Sequence, residues 1–328
     1  MEENNDILNE ESIRKRKFYY SKPFILFAML DWARGRETCF LVKNSYKSSV
    51  RYLNAGSVEI FMKYLGIQTN TERFKGEQAK DPFKFFTSNK NYSIYCSLGK
   101  IDWSRCPIKA FSYAVKERQA QQELIREDLI NYMEDFTPGI DFDGDQSFII
   151  EKGKEKKIKL EINQKDAVNR ALEDLKVIIP IFNEYKIEWF CQFSGSRGFH
   201  FLFNIPLDIS IKQKVEVSNK VLKTLEETFD LQTLDRGSYN HRKVFKTPYS
   251  IVTTNNLNLV VLPLSDKDLE NFDLDKLEVQ YVYNNVRNLK IRGLIWRNSN
   301  INKKESIKLF NKFLKDYEIE ITNGENLE

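Results

Sequence analysis

Ile187-Glu188-Trp189-Phe190-Cys191-Gln192-Phe193 runs into Ser194-Gly195-Ser196-Arg197-Gly198-Phe199-His200, and the apolar run resumes to Ile205. Aromatic and branched residues suit a pleated, half-buried surface, and the two glycines allow a tight reversal, so this stretch reads as two strands about a turn. Upstream, Gln164 to Tyr185 carries apolar residues at helical spacing, with Pro180 late in it as a kink point. Before that helix, Phe136 to Phe142 reads as a strand ending in Asp141-Phe142-Asp143. Downstream, Ile209 to Phe229 is helical, and the short run Leu231-Gln232-Thr233-Leu234 ends at Asp235. This β-α-β order implies an open sheet with helices packed on a face, a mixed α/β (α+β) fold. Functional side chains in such a fold gather at strand ends and on the adjoining loops.

Away from this centre the periodicity predicts further elements. Helical patterns cover Phe24 to Trp32, closed by Gly35, then Ser57 to Leu65, and Lys109 to Met133. Strands are expected over Glu37 to Lys43, Tyr92 to Leu98, Val244 to Thr253 and Leu257 to Leu264. Phe148 to Ile162 resembles a hairpin about Lys152-Gly153-Lys154, and Lys303 to Tyr317 an amphipathic helix. The first residues, 1–20, are read as a flexible segment, residues 21–300 as one catalytic domain with its core at about 136–265, and 301–328 as a terminal helix and tail.

With 328 residues the chain can bury a large core, and charged residues at 30% mark a soluble globular protein. No apolar stretch reaches membrane-spanning length and the acidic start is unlike a signal peptide, so the expected location is cytoplasmic and no membrane partner is expected. A net charge of +4 permits a nucleic-acid partner without requiring one. Cys39, Cys96, Cys106 and Cys191 show neither CxxC nor paired-histidine spacing, so no structural zinc and no disulfide framework is expected.

Carboxylates at i and i+2 of a strand share a face, so Asp141 and Asp143 can share one or two divalent cations, and Asp235 would complete a three-carboxylate site. Asp145 is the competing ligand if the register shifts. The turn supplies Ser194, Gly195, Ser196, Arg197, Gly198 and His200: backbone N–H groups, hydroxyls, a guanidinium and an imidazole, which together suit a polyphosphate. Arg236, His241, Arg242, Lys243 and Lys246 form a basic group after Asp235 that could line a phosphate or template path. Each acid also has an ordinary reading as a solvated loop residue, and the turn one as a plain hairpin. Because clustered carboxylates repel, replacing Asp141 and Asp143 together by alanine should hold or raise stability.

In this order Ile140-Asp141-Phe142-Asp143, Ser194 to His200 and Leu234-Asp235 resemble the hDhD, sGxxGxH and hD motifs of the archaeo-eukaryotic primase superfamily. Arg36-Glu37-Thr38-Cys39-Phe40 is similar to a strand of primase small subunits, and Phe245-Lys246-Thr247-Pro248-Tyr249-Ser250-Ile251-Val252 to the family's L-[RK]-x-P-[FY]-S-h-H segment. The resemblance covers roughly residues 20 to 265. It implies a catalytic core with an RRM-like sheet and an N-terminal α/β unit. It also implies two divalent metal ions, Mg²⁺ or Mn²⁺, on Asp141, Asp143 and Asp235. The triphosphate of an NTP or dNTP would be held by Ser194, Arg197, His200 and Lys246, with Arg36 as a further contact; Gly195, Ser196 and Gly198 of the turn and Arg242 of the basic group complete the expected nucleotide-binding set.

Val252 stands where many members of that family have a histidine, and Ser196 where some have an arginine. The short interval between Asp143 and Asp235 matches a compact primase-polymerase of a prokaryotic, plasmid, viral or CRISPR-linked kind. The implied partners are a single-stranded DNA template and accessory replication or CRISPR-adaptation proteins. Two alternatives stay open: a gap-filling repair polymerase of the same superfamily, and a non-catalytic nucleic-acid-binding replication module.

Overall fold

The computed structural model describes residues 10–43, 50–57, 91–105, 129–151, 154–241, 243–254, 257–286 and 296–321. Helices α1 (Glu10–Tyr20) and α2 (Pro23–Ala33) precede strands β1 (Arg36–Lys43), β2 (Val50–Ser57) and β3 (Asn91–Ile101). A 3-10 turn at Leu129–Tyr132 leads into β4 (Met133–Phe136), β5 (Gly139–Asp143) and the hairpin β6 (Gln146–Glu151) and β7 (Lys154–Lys159). Then come α3 (Gln164–Glu184), β8 (Trp189–Phe193), β9 (Gly198–Phe203), α4 (Ile211–Phe229) and a 3-10 turn at Arg236–Tyr239. Strands β10 (Val244–Lys246), β11 (Ile251–Thr254) and β12 (Leu257–Val260) are followed by α5 (Asp266–Glu270), α6 (Val279–Val286) and α7 (Lys303–Asp316). The described residues fall into two compact units, one drawn from 1–134, 244–262 and 273–293, the other from 135–243, 263–272 and 294–328.

In the second unit β5, β9 and β8 pair antiparallel in that order. The segment before Asp235 adds a fourth row: Phe142 bridges Leu234, the Asp143 N–H donates to the Thr233 carbonyl (2.7 Å), and the Asp235 N–H donates to the Asp141 carbonyl (2.7 Å). With α3 after β5 and α4 after β9, the connectivity is β-α-β-β-α-β with spatial order 4-1-3-2. This is the RRM-like sheet expected from the motifs, and the mixed α+β class holds. The hairpin β6–β7 is inserted between the first strand and its helix.

Alternation gives this sheet two chemically different faces. Phe201 and Phe203 meet Phe182 of α3 edge-on (4.9 and 5.3 Å between centroids), and Trp189 stacks on Phe201. Helix α3 buries Ala167, Val168, Ala171, Leu172, Leu175, Ile178, Ile181 and Phe182, the i, i+3, i+4 stripe an amphipathic helix presents to a core, and it runs through Pro180 to Glu184. The opposite face carries Asp141, Asp143, Gln192 and His200. The amphipathic helix expected over Lys303 to Tyr317 is α7, whose Phe310, Phe313 and Leu314 are buried, and the Phe313 ring packs on Tyr185 (5.3 Å).

The first unit has an antiparallel sheet of order β10-β3-β1-β2. Residues 10–20, expected within a flexible segment, are helical instead. Tyr19 and Tyr20 are fully buried, the Tyr19 hydroxyl donates to the Tyr249 carbonyl (3.1 Å), and the Tyr20 hydroxyl accepts from the Ile251 N–H (2.8 Å). Desolvation of two rings tied into a core outweighs the polarity of the first turn.

Other boundaries move for local reasons. The strand expected over Phe136 to Phe142 is broken at Thr137-Pro138, where a proline cannot donate to the ladder. The strand expected over Val244 to Thr253 is divided by a turn in which Tyr249 takes a positive φ of 65°. The helix expected to Met133 is a 3-10 turn over Leu129–Tyr132, and Met133 begins a strand. The rest of that helix, most of Ser57 to Leu65, Cys106 and Arg242 lie outside the described residues. Strand β2 had no counterpart in the sequence reading. Cys96 and Cys191 are buried free thiols, and no helix among the described residues is long and apolar enough to cross a membrane.

Candidate active site

Asp141 sits in the middle of a row that crosses the sheet: it pairs with His200 on β9, which pairs with Gln192 on β8. The Gln192 amide donates to His200 Nδ1 (2.9 Å), which leaves the imidazole proton on Nε2, 3.8 Å from Asp141 Oδ1. Both His200 and Gln192 are buried. Two residues along β5, Asp143 lies on the same face as Asp141 and accepts from Gln146 Nε2 (2.5 Å).

Asp235 is brought beside Asp141 by the fourth row of the sheet. It caps the 3-10 turn that follows, accepting from the Gly237 N–H (3.1 Å), while Ser238 from the same turn accepts the Asp141 N–H (3.0 Å). Helix α3 fixes this row from below: Asp174 accepts both the N–H and the hydroxyl of Thr233, each at 2.7 Å. Burial raises the pKa of Asp174, and only the hydrogen bonds from Thr233 and Gln232 and the nearby Arg170 oppose that rise.

The two carboxylates converge on one ammonium. Lys243 Nζ lies 3.0 Å from Asp141 Oδ2 and 2.5 Å from Asp235 Oδ2, and Lys157 of the inserted hairpin reaches Asp235 Oδ1 (2.9 Å). Burial by itself would push the Asp235 carboxyl up. The hydrogen bond and charge of Lys243, joined by Lys157 and the Gly237 N–H, outweigh it and hold the group down at about 2. Burial likewise pulls Lys243 down, but the Asp141 charge and the Asp235 hydrogen bond win and raise it above the ordinary lysine range.

The glycine turn is built by close approach. The Ser194 N–H donates to the Gly198 carbonyl (2.9 Å), Gly195 takes φ +83°, and a Cβ on Gly198 would overlap the Phe142 carbonyl oxygen of β5. The Ser196 carbonyl accepts from Gln164 at the start of α3 (2.7 Å). Arg197, expected on phosphate, donates instead to Asp145, which is buried and also lies 3.4 Å from Lys159. Asp145 is thus an anchor for the turn, where the sequence reading had it as a rival ligand. Arg197→Ala is therefore expected to lower stability by about 2–3 kcal/mol, because it leaves a buried carboxylate short of its partner. Adding Asp145→Asn should restore part of that loss in a melting experiment. An unchanged melting temperature in the single variant would show the pair to be idle.

Two expected phosphate contacts belong to the first unit. Arg36 is buried there: its guanidinium donates to the carbonyls of Ser97 and Leu98 and lies 4.5 Å from the Trp32 ring centre. These bonds lie where the register of β1 and β3 shifts between Arg36 and Thr38, so Arg36 is held by the sheet in this arrangement. Lys246 on β10 lies over Tyr95, 5.7 Å from the ring centre.

The oxygen-only set of Asp141, Asp143 and Asp235 is chemically suited to a hard divalent cation, and Asp141 with Asp235 already defines one cation position. Among the described residues, however, no three acid, histidine or cysteine side chains are gathered closely enough to hold a metal as they stand. The third carboxylate, Asp143, accepts a hydrogen bond from Gln146. Lys157, Gln192, Ser238 and Asp174 make up the surroundings that spacing did not reveal as part of this site, while Lys243 was expected only as part of the basic group after Asp235. Of the four missed residues, Gln192 left a signal, as an amide inside an otherwise apolar strand.

No family model and no curated protein matches this sequence. Among solved structures, the chain is similar in fold to the polymerase domain of Mycobacterium tuberculosis Ligase D in complex with DNA. That likeness has a TM-score of 0.52 and 11% identity, over 86% of this chain and 90% of that one.

Proposed function

We propose that this chain is a template-directed nucleotidyl transferase, a DNA primase-polymerase that synthesises primers on single-stranded DNA. The observation that carries the proposal is the convergence of Asp141 and Asp235 on one cation position, on the sheet face that also holds Asp143 and His200. The motif resemblance and the fold likeness to a polymerase domain seen with DNA support the same reading.

In this reading Asp141, Asp143 and Asp235 hold two Mg²⁺ or Mn²⁺ ions. Such ions lower the pKa of an attacking hydroxyl and neutralise a leaving pyrophosphate. The chain's own residues supply position and charge. His200, its Nδ1 held by Gln192 and its Nε2 3.8 Å from Asp141, would offer Nε2–H to the triphosphate, and the Ser194-to-Gly198 turn would offer backbone N–H groups. Arg197 serves by pinning that turn to Asp145, Lys246 is a further phosphate contact by resemblance, and Arg242 is one by its place in the basic group after Asp235. The 3′-hydroxyl oxygen attacks the α-phosphorus, its P–O bond forms as the bond to pyrophosphate breaks, and the hydroxyl proton passes to solvent.

The test is incubation with unprimed single-stranded DNA, labelled NTPs or dNTPs, and Mg²⁺ or Mn²⁺, with products resolved on a gel. Short labelled products that require both template and metal are expected. Extension of annealed primers with no unprimed product would make the chain a gap-filling polymerase. Absence of both, with DNA binding retained, would make it a binding module.

A further inference from the structure

Lys243 is held by two acids at once, in a narrow seat. Its ammonium contacts Asp141 (3.0 Å) and Asp235 (2.5 Å), and a Cβ on Gly237 would lie 3.3 Å from it. A tight turn, with the Lys243 N–H donating to the Asn240 carbonyl (2.7 Å), delivers the side chain to this place. The other charged groups nearby take different positions: Lys157 reaches the far oxygen of Asp235, and His200 lies 3.8 Å from the far oxygen of Asp141. Among the described residues, Lys243 is the side chain that contacts both carboxylates.

We propose that Lys243 is a resident counter-cation, occupying the seat between Asp141 and Asp235 until a divalent ion arrives, and that binding of the ion requires its ammonium to leave. The inference rests on reading these acids as the metal site. A seat between two carboxylates accommodates one cation, because like charges at such distances repel strongly. The tethered ammonium keeps the acids together in the metal-free protein and competes with the ion for the same oxygens. Once displaced, it is a free cation at the edge of the site, suited to an anionic ligand that enters with the metal.

The experiment is a Mn²⁺ titration of the full chain by calorimetry or electron paramagnetic resonance, with melting temperatures taken with and without Mn²⁺. It compares the wild type with Lys243→Met, Lys243→Gln, Lys243→Arg and Lys157→Gln. Removing the competing charge-assisted contact should tighten Mn²⁺ binding about tenfold in Lys243→Met and Lys243→Gln. The same two variants should melt lower without metal and gain more from Mn²⁺ than the wild type. Lys243→Arg should stay near the wild type, and Lys157→Gln should change affinity much less than Lys243→Met.

Unchanged or weaker Mn²⁺ binding in Lys243→Met and Lys243→Gln would overturn the inference while leaving the metal site standing. Equal tightening by Lys157→Gln would overturn it too, as an effect of net charge alone. Failure of every protein to bind Mn²⁺ would remove the metal reading and this inference together.

Discussion

Asp141→Ala combined with Asp143→Ala is expected to abolish nucleotide incorporation, by on the order of 10³-fold or more, while the protein remains folded. Asp141 lies at one end of the Asp141–His200–Gln192 row and shares Lys243 with Asp235, so its loss removes half of the cation position. In the proposed reading Asp143, on the same strand face, would supply an oxygen donor to a second ion. From the sequence, relief of repulsion would hold or raise stability. The structure reverses that expectation, because Lys243 and Gln146 already compensate the acids. A loss of about 1–2 kcal/mol is expected instead, with Lys243 left to Asp235 alone. Primer extension and thermal melting on the same preparation decide both parts. Retained synthesis would remove these acids from the catalytic reading, and a raised melting temperature would show that repulsion dominates.

Gly198→Ala should be the most damaging single substitution in the glycine turn, costing on the order of 3 kcal/mol. Its Cβ would collide with backbone, the carbonyl of Phe142, in the register where Asp143 faces Gly198. No side chain can rotate out of the way, so β5 and β9 must separate where the acids and His200 are set. Gly195→Ala is the contrasting case. It strains a φ of +83° without a backbone collision being the cause, and should cost about 1–2 kcal/mol. Urea unfolding of the two variants checks the order. A Gly198→Ala protein as stable as Gly195→Ala would mean that the strands can shift apart freely.

Much of the second unit was legible in the sequence because its signals are local. Helical spacing marks α3 and α4, aromatic runs mark β8 and β9, and acids at i and i+2 mark the end of β5. The RRM-like sheet followed from those elements together with the motif resemblance. The two-unit division and the boundaries around Thr137-Pro138 and Tyr249 did not follow, since these depend on which segments find partners. The partners of Arg36 were not legible either: its guanidinium donates to the carbonyls of Ser97 and Leu98 and lies over the Trp32 ring. Arg197 makes the same point with Asp145.

By itself, then, the sequence determined the strand and helix pattern of the second unit and the chemistry its acids, histidine and glycines can offer. Periodicity, side-chain class and backbone freedom are properties of neighbouring residues, and they are written locally. Only the tertiary structure decided which charge faces which. Lys243 meets Asp141 across a separation of about a hundred positions, and Lys157 meets Asp235 from an inserted hairpin. Such pairings are set by the register of distant strands and by the cost of leaving a buried charge without a partner, and neither is encoded in the spacing of any single motif.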